Sequence, residues 1–263
     1  MLLFVVHPVT FRSPFERTSQ PLRVVAVIPA RFQSTRFPGK PLADIAGRPM
    51  IEHVYRRTAA ARGVDAVVVA TDDPRIVEAV ERFGGIARVT GSQHRTGTDR
   101  LAEVAADLDC EIVLNVQGDE PLIDPSTVHA VANLLVEEPW RDMSTACTPL
   151  TNADDHDNPN VVKVVLDRSG NAMYFSRAAI PHVRGTRPTV YKHLGVYGYR
   201  RTFLLEFTKL PQTPLELSES LEQLRALEHG YKISTAVTPD DSIGVDTPED
   251  LERARQQLAA AHT

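Results

Sequence analysis

Val24-Val25-Ala26-Val27-Ile28-Pro29-Ala30-Arg31-Phe32-Gln33-Ser34-Thr35-Arg36-Phe37-Pro38-Gly39-Lys40-Pro41-Leu42 joins an uninterrupted apolar run to a loop rich in cations. Val24 to Ile28 shows no polar alternation, which suits a strand buried on both faces of a parallel sheet. The loop after it brings Arg31, Arg36 and Lys40 together with the hydroxyls of Ser34 and Thr35, and Gly39 permits close backbone approach. Cations and donors at the carboxyl end of a first parallel strand suit a polyphosphate. The spacing is not that of a Walker loop.

Outward from this stretch, the same alternation recurs. Helical spacing over Met50 to Ala61 leads to a second buried strand, Ala66 to Ala70, and Asp73-Pro74 marks the start of a helix over Arg75 to Phe83. Strand Ile86 to Val89, helix Asp99 to Leu108, strand Ile112 to Val116 and helix Pro125 to Val136 follow. This order predicts an α/β fold: a doubly wound, mainly parallel sheet flanked by helices, with its ligand site at the carboxyl ends of the strands. From Met143 to Tyr199 the chain turns β-rich, with segments Val161 to Leu166, Ala172 to Phe175 and His193 to Tyr199, read as an insertion that covers the site. Helix Leu215 to Leu227, strand Lys232 to Val237 and a helix entered through Asp246-Thr247-Pro248 are expected to close the fold.

Residues 1–22 show neither a strand nor a helix period and read as an appended arm, leaving 23–263 as a single domain. The formal net charge of −5 gives no general attraction to nucleic acid or to an anionic membrane, so any anion site is local. Met1 to Val6 is apolar but lacks a basic flank and a cleavage signal, so neither a signal peptide nor a membrane span is expected. Cys110 and Cys147 show no metal-ligand spacing and suit a reducing cytoplasm.

A second signal lies in Asn115-Val116-Gln117-Gly118-Asp119-Glu120-Pro121, directly after an apolar strand. Asp119 can hold a hard divalent cation, or serve as a turn residue, and Gln117 offers an amide to a nucleotide. Asp246, before Thr247-Pro248, suits a helix start or cap. His193 and Tyr197 share one strand face, and Glu222 and Arg225, three apart on a helix, could form a surface pair.

With Thr96-Gly97-Thr98-Asp99-Arg100, Phe175-Ser176-Arg177, His193-Leu194-Gly195-Val196-Tyr197-Gly198-Tyr199, Leu221-Glu222-Gln223-Leu224-Arg225 and Gly244-Val245-Asp246-Thr247-Pro248, these segments resemble the 3-deoxy-manno-octulosonate (KDO) cytidylyltransferase family from about Arg23 to Leu258. The resemblance implies a Rossmann-like nucleotidyltransferase fold, a homodimer with the β-rich insertion in its acceptor and dimer region, and transfer of CMP from CTP to an acidic sugar with Mg2+. It places Arg31, Lys40, Asp119 and Asp246 in catalysis, the two aspartates as metal ligands. Ala30, Arg31, Ser34, Arg36 and Lys40 of the loop, with Thr98, Arg100 and Gln117, would bind the nucleotide. Arg177, His193, Tyr197 and Glu222, with Gln223 and Arg225, would form the acceptor site. A phosphonoformate acceptor is the alternative, since arginine far outnumbers lysine and suits a GC-rich source. A non-catalytic nucleotide-binding regulator is a further alternative, but it should have lost Lys40 or a metal ligand.

Overall fold

A computed structural model describes residues 22–33 and 37–260. The expected arm and loop residues Ser34, Thr35 and Arg36 lie outside the described residues, except that Leu22 opens the first strand opposite Cys110.

Strand β1 (Leu22–Pro29) leads through a 3-10 turn at Lys40–Leu42 and the hairpin of β2 (Asp44–Ile45) and β3 (Arg48–Pro49) to α1 (Met50–Ala59). The alternation continues with β4 (Ala66–Thr71), α2 (Pro74–Arg82), β5 (Ala87–Val89), α3 (Gly97–Ala106), β6 (Cys110–Asn115) and α4 (Pro125–Glu137). Next come β7 (Met143–Pro149), α5 (Asp154–Asp157), β8 (Lys163–Leu166), β9 (Ala172–Ser176), β10 (Tyr191–Arg200) and α6 (Arg201–Phe207). The described chain ends with α7 (Pro214–Glu219), α8 (Gln223–Glu228), β11 (Ile233–Val237) and α9 (Pro248–Ala260). No described helix is long and apolar enough to cross a membrane.

The sheet order is β11-β7-β10-β6-β1-β4-β5. β1 pairs in parallel with β4 and β6, and β11 with β7, while β10 runs antiparallel between β6 and β7. The apolar run of β1 is used on both faces. Val25 and Val27 join a core with Leu101 of α3, Phe203 of α6 and Leu224 of α8. Val24, Ala26 and Ile28 pack instead with Ile51 of α1, Ile76 of α2 and Val131 of α4. Each fully buried Val or Ile of this kind contributes about 1.5–3 kcal/mol, which is why a central strand needs no polar face.

The structure refines the carboxyl-terminal half in three places. β7 and β10 are members of the main sheet, and only β8 and β9 lie off its path. α6, not expected from the sequence, buries Phe203, Leu204 and Phe207. The helix expected over Leu215 to Leu227 is two helices, broken where Ser220 adopts a left-handed conformation with φ 52°. The amides of Ser220 and Leu221 both bond back to the Glu216 carbonyl, ending α7 and redirecting the chain so that Glu222 turns toward α3.

Candidate active site

The parallel pairing of β1 with β6 brings the two signal loops side by side at the strands' carboxyl ends. A Cβ on Gly118 would stand 2.8 Å from the Pro29 carbonyl, so only glycine lets the β6 loop lie this close to the β1 loop. Gly39 has φ 74° and packs against Phe32, whose ring also meets the Arg75 guanidinium, 3.3 Å from its centroid. Phe32 and Arg75 therefore brace the turn that delivers Lys40.

Lys40 Nζ donates to Asp119 Oδ2 at 2.8 Å and to Asp246 Oδ1 at 3.2 Å. The Lys40 side chain is 13% exposed, which strengthens both attractions relative to a solvated pair. Asp246 reaches this point because the Val245 amide bonds to the Asp119 carbonyl at 2.8 Å and the Ser242 hydroxyl to Glu120 at 3.1 Å. Capping of α9 falls to Thr247, whose hydroxyl accepts from the Asp250 amide at 3.2 Å, so the Asp246 carboxylate is turned to Lys40. Glu120, which sequence reasoning passed over, borders the same cleft. Burial, then the adjacent Asp119 charge, push its carboxyl up to about 7, against the Ser242 hydrogen bond.

The other residues expected to bind the nucleotide occupy different settings. Ala30 is buried and its amide bonds to Ala70. Arg31 is half-buried and donates to the His94 carbonyl at 2.8 Å. Gln117 is half-buried and donates to Asn115 at 3.2 Å. Arg100 departs from the expected role. It is fully enclosed, donates to Thr90 and pairs with Asp72 at 3.2 Å, so it braces the end of β4 and presents no cation to the cleft. Thr98 is also buried and gives its hydroxyl to Glu222, tying α3 to the start of α8.

A cleft of about 1140 Å³ opens beside Asp246, lined on its far side by Arg177, Lys192 and His193. Arg177 Nε donates to the Glu219 carbonyl at 2.8 Å and Nη1 to the Pro159 carbonyl at 3.0 Å. Beneath it is fully buried Lys163, another residue that sequence reasoning missed. Its ammonium donates to the carbonyls of Asn158 at 2.9 Å, Val161 at 2.6 Å and Arg177 at 2.7 Å. The only sequence signal for it was a lysine opening an apolar strand.

His193 packs edge-on to Phe175 and touches Tyr197, with ring centroids 4.9 and 5.3 Å apart. Burial lowers its pKa to about 3 and so keeps it neutral, and burial with nearby Glu222 and Glu120 raises the Tyr197 phenol. Desolvation also raises the Glu222 carboxyl, opposed by Thr98 and Arg225. Arg225 is not a surface partner of Glu222. It is buried and bidentate to Glu216, at 2.8 and 2.5 Å, and lies 3.4 Å from Glu222, so it fixes the break between α7 and α8. Gln223 is also buried, and its Nε2 has no hydrogen-bond partner among the described residues.

Among the described residues, no cluster of three or more His, Cys, Asp or Glu forms a complete metal cage. The Asp119 and Asp246 donor set nevertheless fits Mg2+, which is commonly held by one or two carboxylates together with substrate phosphates and water.

The chain matches the family model described as Cytidylyltransferase over residues 25–233. It is 53% identical to 3-deoxy-manno-octulosonate cytidylyltransferase of Geobacter sulfurreducens over 90% of this chain and 100% of that one. The chain belongs to this family. Its similarity to the family's Syntrophotalea carbinolica member is also 53%, over 90% of this chain and 99% of the relative. Among solved structures, CMP:2-keto-3-deoxy-manno-octonic acid synthetase complexed with CTP matches with TM-score 0.88 and 44% identity, covering 91% of this chain and 99% of the other. Membership makes this a CTP-dependent cytidylyltransferase.

Proposed function

We propose that the protein transfers CMP from CTP to KDO, and that the meeting of Lys40, Asp119 and Asp246 beside the cleft marks the reaction centre. An acceptor oxygen attacks the α-phosphorus, a new P–O bond forms, and the bond to the β-phosphate breaks to release pyrophosphate; the hydroxyl proton passes to water. Lys40 and Arg31 stabilise the phosphate charge in place, with little reorganisation during transfer. Asp119 and Asp246 would hold Mg2+, which when bound neutralises phosphate charge and polarises the reacting oxygens. Arg177 supplies a cation for the acceptor carboxylate, while His193, Tyr197 and Glu222 supply hydrogen-bonding groups for its hydroxyls.

The relatives' names favour KDO over phosphonoformate. The retained lysine and carboxylates also favour an enzyme over a non-catalytic regulator. The same reading carries a homodimer, and the two free cysteines support a cytoplasmic setting. The decisive experiment compares pyrophosphate release from CTP and Mg2+ with KDO or phosphonoformate. Rapid release with KDO is expected, and efficient turnover of phosphonoformate alone would refute the acceptor assignment.

A further inference from the structure

Strand β10 carries an irregularity against β7: Leu194 pairs with Ala146, but Tyr197 pairs with the adjacent Thr145, leaving Gly195 and Val196 as extra residues. Bulges of this kind interrupt the ladder and re-aim neighbouring side chains. A Cβ on Gly195 would come 3.1 Å from Glu120 Oε1, so the bulge is pressed against the loop that carries Asp119.

Thr145, fully enclosed on β7, takes up the carbonyl that the bulge releases. Its Oγ1 is 2.8 Å from the Val196 carbonyl oxygen, 3.4 Å from that of Leu194 and 3.0 Å from His193 Nε2. A hydroxyl has one proton and a carbonyl can only accept, so that proton goes to Val196 and the Thr145 oxygen accepts from the ring. The ring proton therefore belongs on Nε2. Because burial keeps the imidazole neutral, Nδ1 retains its lone pair. No described residue bonds to Nδ1, and His193 lines the cleft.

We propose that Thr145 is a positioning residue that fixes His193 as the Nε2–H tautomer, leaving Nδ1 as the acceptor for one hydroxyl of the sugar acid. This rests on the acceptor reading above. It makes His193 a discriminator for a hydroxyl donor in the cleft, while Thr145 touches neither substrate.

The test is 15N NMR of histidine-labelled full-length enzyme, with the His193 resonance assigned through His193→Gln, beside kinetics with KDO and CTP. Wild type should show Nδ1 without a proton and an exchange-protected Nε2–H. Thr145→Val should lose that protection and raise the KDO KM about tenfold or more, with the CTP KM within twofold. Thr145→Ser, which keeps the hydroxyl, should restore both. A proton on Nδ1 in wild type overturns the proposal, as does a KDO KM for Thr145→Val within twofold of wild type. A wild-type enzyme with the expected ring but no turnover of KDO rejects the acceptor reading and, with it, the hydroxyl contact; the tautomer assignment survives.

Discussion

Lys40 Nζ lies 2.8 Å from Asp119 Oδ2, although 79 positions separate the two residues in the chain. Asp246, 206 positions from Lys40, takes the same nitrogen from another loop. One ammonium thus holds two carboxylates whose mutual repulsion would otherwise spread the loops. Phosphates bound as proposed would compete for the lysine, and a cation for the carboxylates.

Lys40→Ala should lower kcat about 10²- to 10³-fold, the scale of removing one preorganised charge from a transition state. Steady-state pyrophosphate release checks this, with circular dichroism to show that the fold persists. Turnover within tenfold of wild type would remove Lys40 from the reaction centre.

Asp119→Asn and Asp246→Asn should each weaken divalent-cation binding by at least tenfold, because a neutral amide replaces a hard anionic ligand. Mn2+ titration followed by electron paramagnetic resonance, in the presence of CTP, reads this independently of turnover. Unchanged Mn2+ affinity in both variants would detach these carboxylates from the metal.

The parallel half was legible because β1, β4 and β6 are buried on both faces and their apolar runs are ended by turn and cap residues such as Asp73, which accepts from the Arg75 amide. The meeting of Asp119 and Asp246 at Lys40 was legible only through the family resemblance, because Asp246 lies in a loop well past the end of β11. The break at Ser220 was hidden: Leu215 to Leu227 keeps a helical spacing, and the break is secured by the Arg225–Glu216 pair and the backbone bonds to Glu216. Arg100 misled for a related reason, because a cation in a binding motif has the same letter whether it faces a ligand or a buried aspartate. Lys163 gave almost no signal, as its partners are backbone carbonyls, which any sequence provides.

Lys163→Met keeps the aliphatic bulk but removes a charged donor from three carbonyls, one of which belongs to Arg177. A loss of about 2–3 kcal/mol in unfolding free energy is expected from the scale of charge-assisted hydrogen bonds. The KDO KM should rise more than the CTP KM, since the freed loop from Asn158 to Val161 lines the cleft. Urea denaturation and paired kinetics measure the two effects. Equal increases in both KM values would make Lys163 a general stabiliser only.

His193 links stability to pH. Its folded pKa is lowered from 6.5 to about 3, so between these values the unfolded chain binds the proton more tightly than the folded one. The contribution is present above pH 6.5 and is lost as pH falls toward the folded value, by up to about 1.4 kcal/mol per unit. His193→Gln should flatten the decline in stability between pH 6.5 and 5 relative to wild type. Parallel declines in urea midpoints would show that the histidine is not held neutral by burial.

Glu222 joins the two halves of the site, because it accepts the Thr98 hydroxyl from α3 while its side chain remains 27% exposed beside Arg225. Replacing it by Ala removes an anionic acceptor that only a hydroxylated substrate can use. The expected loss is about 2–3 kcal/mol in kcat/KM for KDO, or roughly 30- to 160-fold. Thr98 is held in a helix whose start is closed by the reciprocal Thr96–Asp99 capping box, so the CTP KM should change no more than about threefold. Glu222→Gln, which retains an oxygen acceptor for Thr98 without the charge, should fall between Ala and wild type. Steady-state kinetics with each substrate varied in turn separates the effects; an Ala variant impaired mainly in CTP KM would move Glu222 from the acceptor side to the nucleotide side.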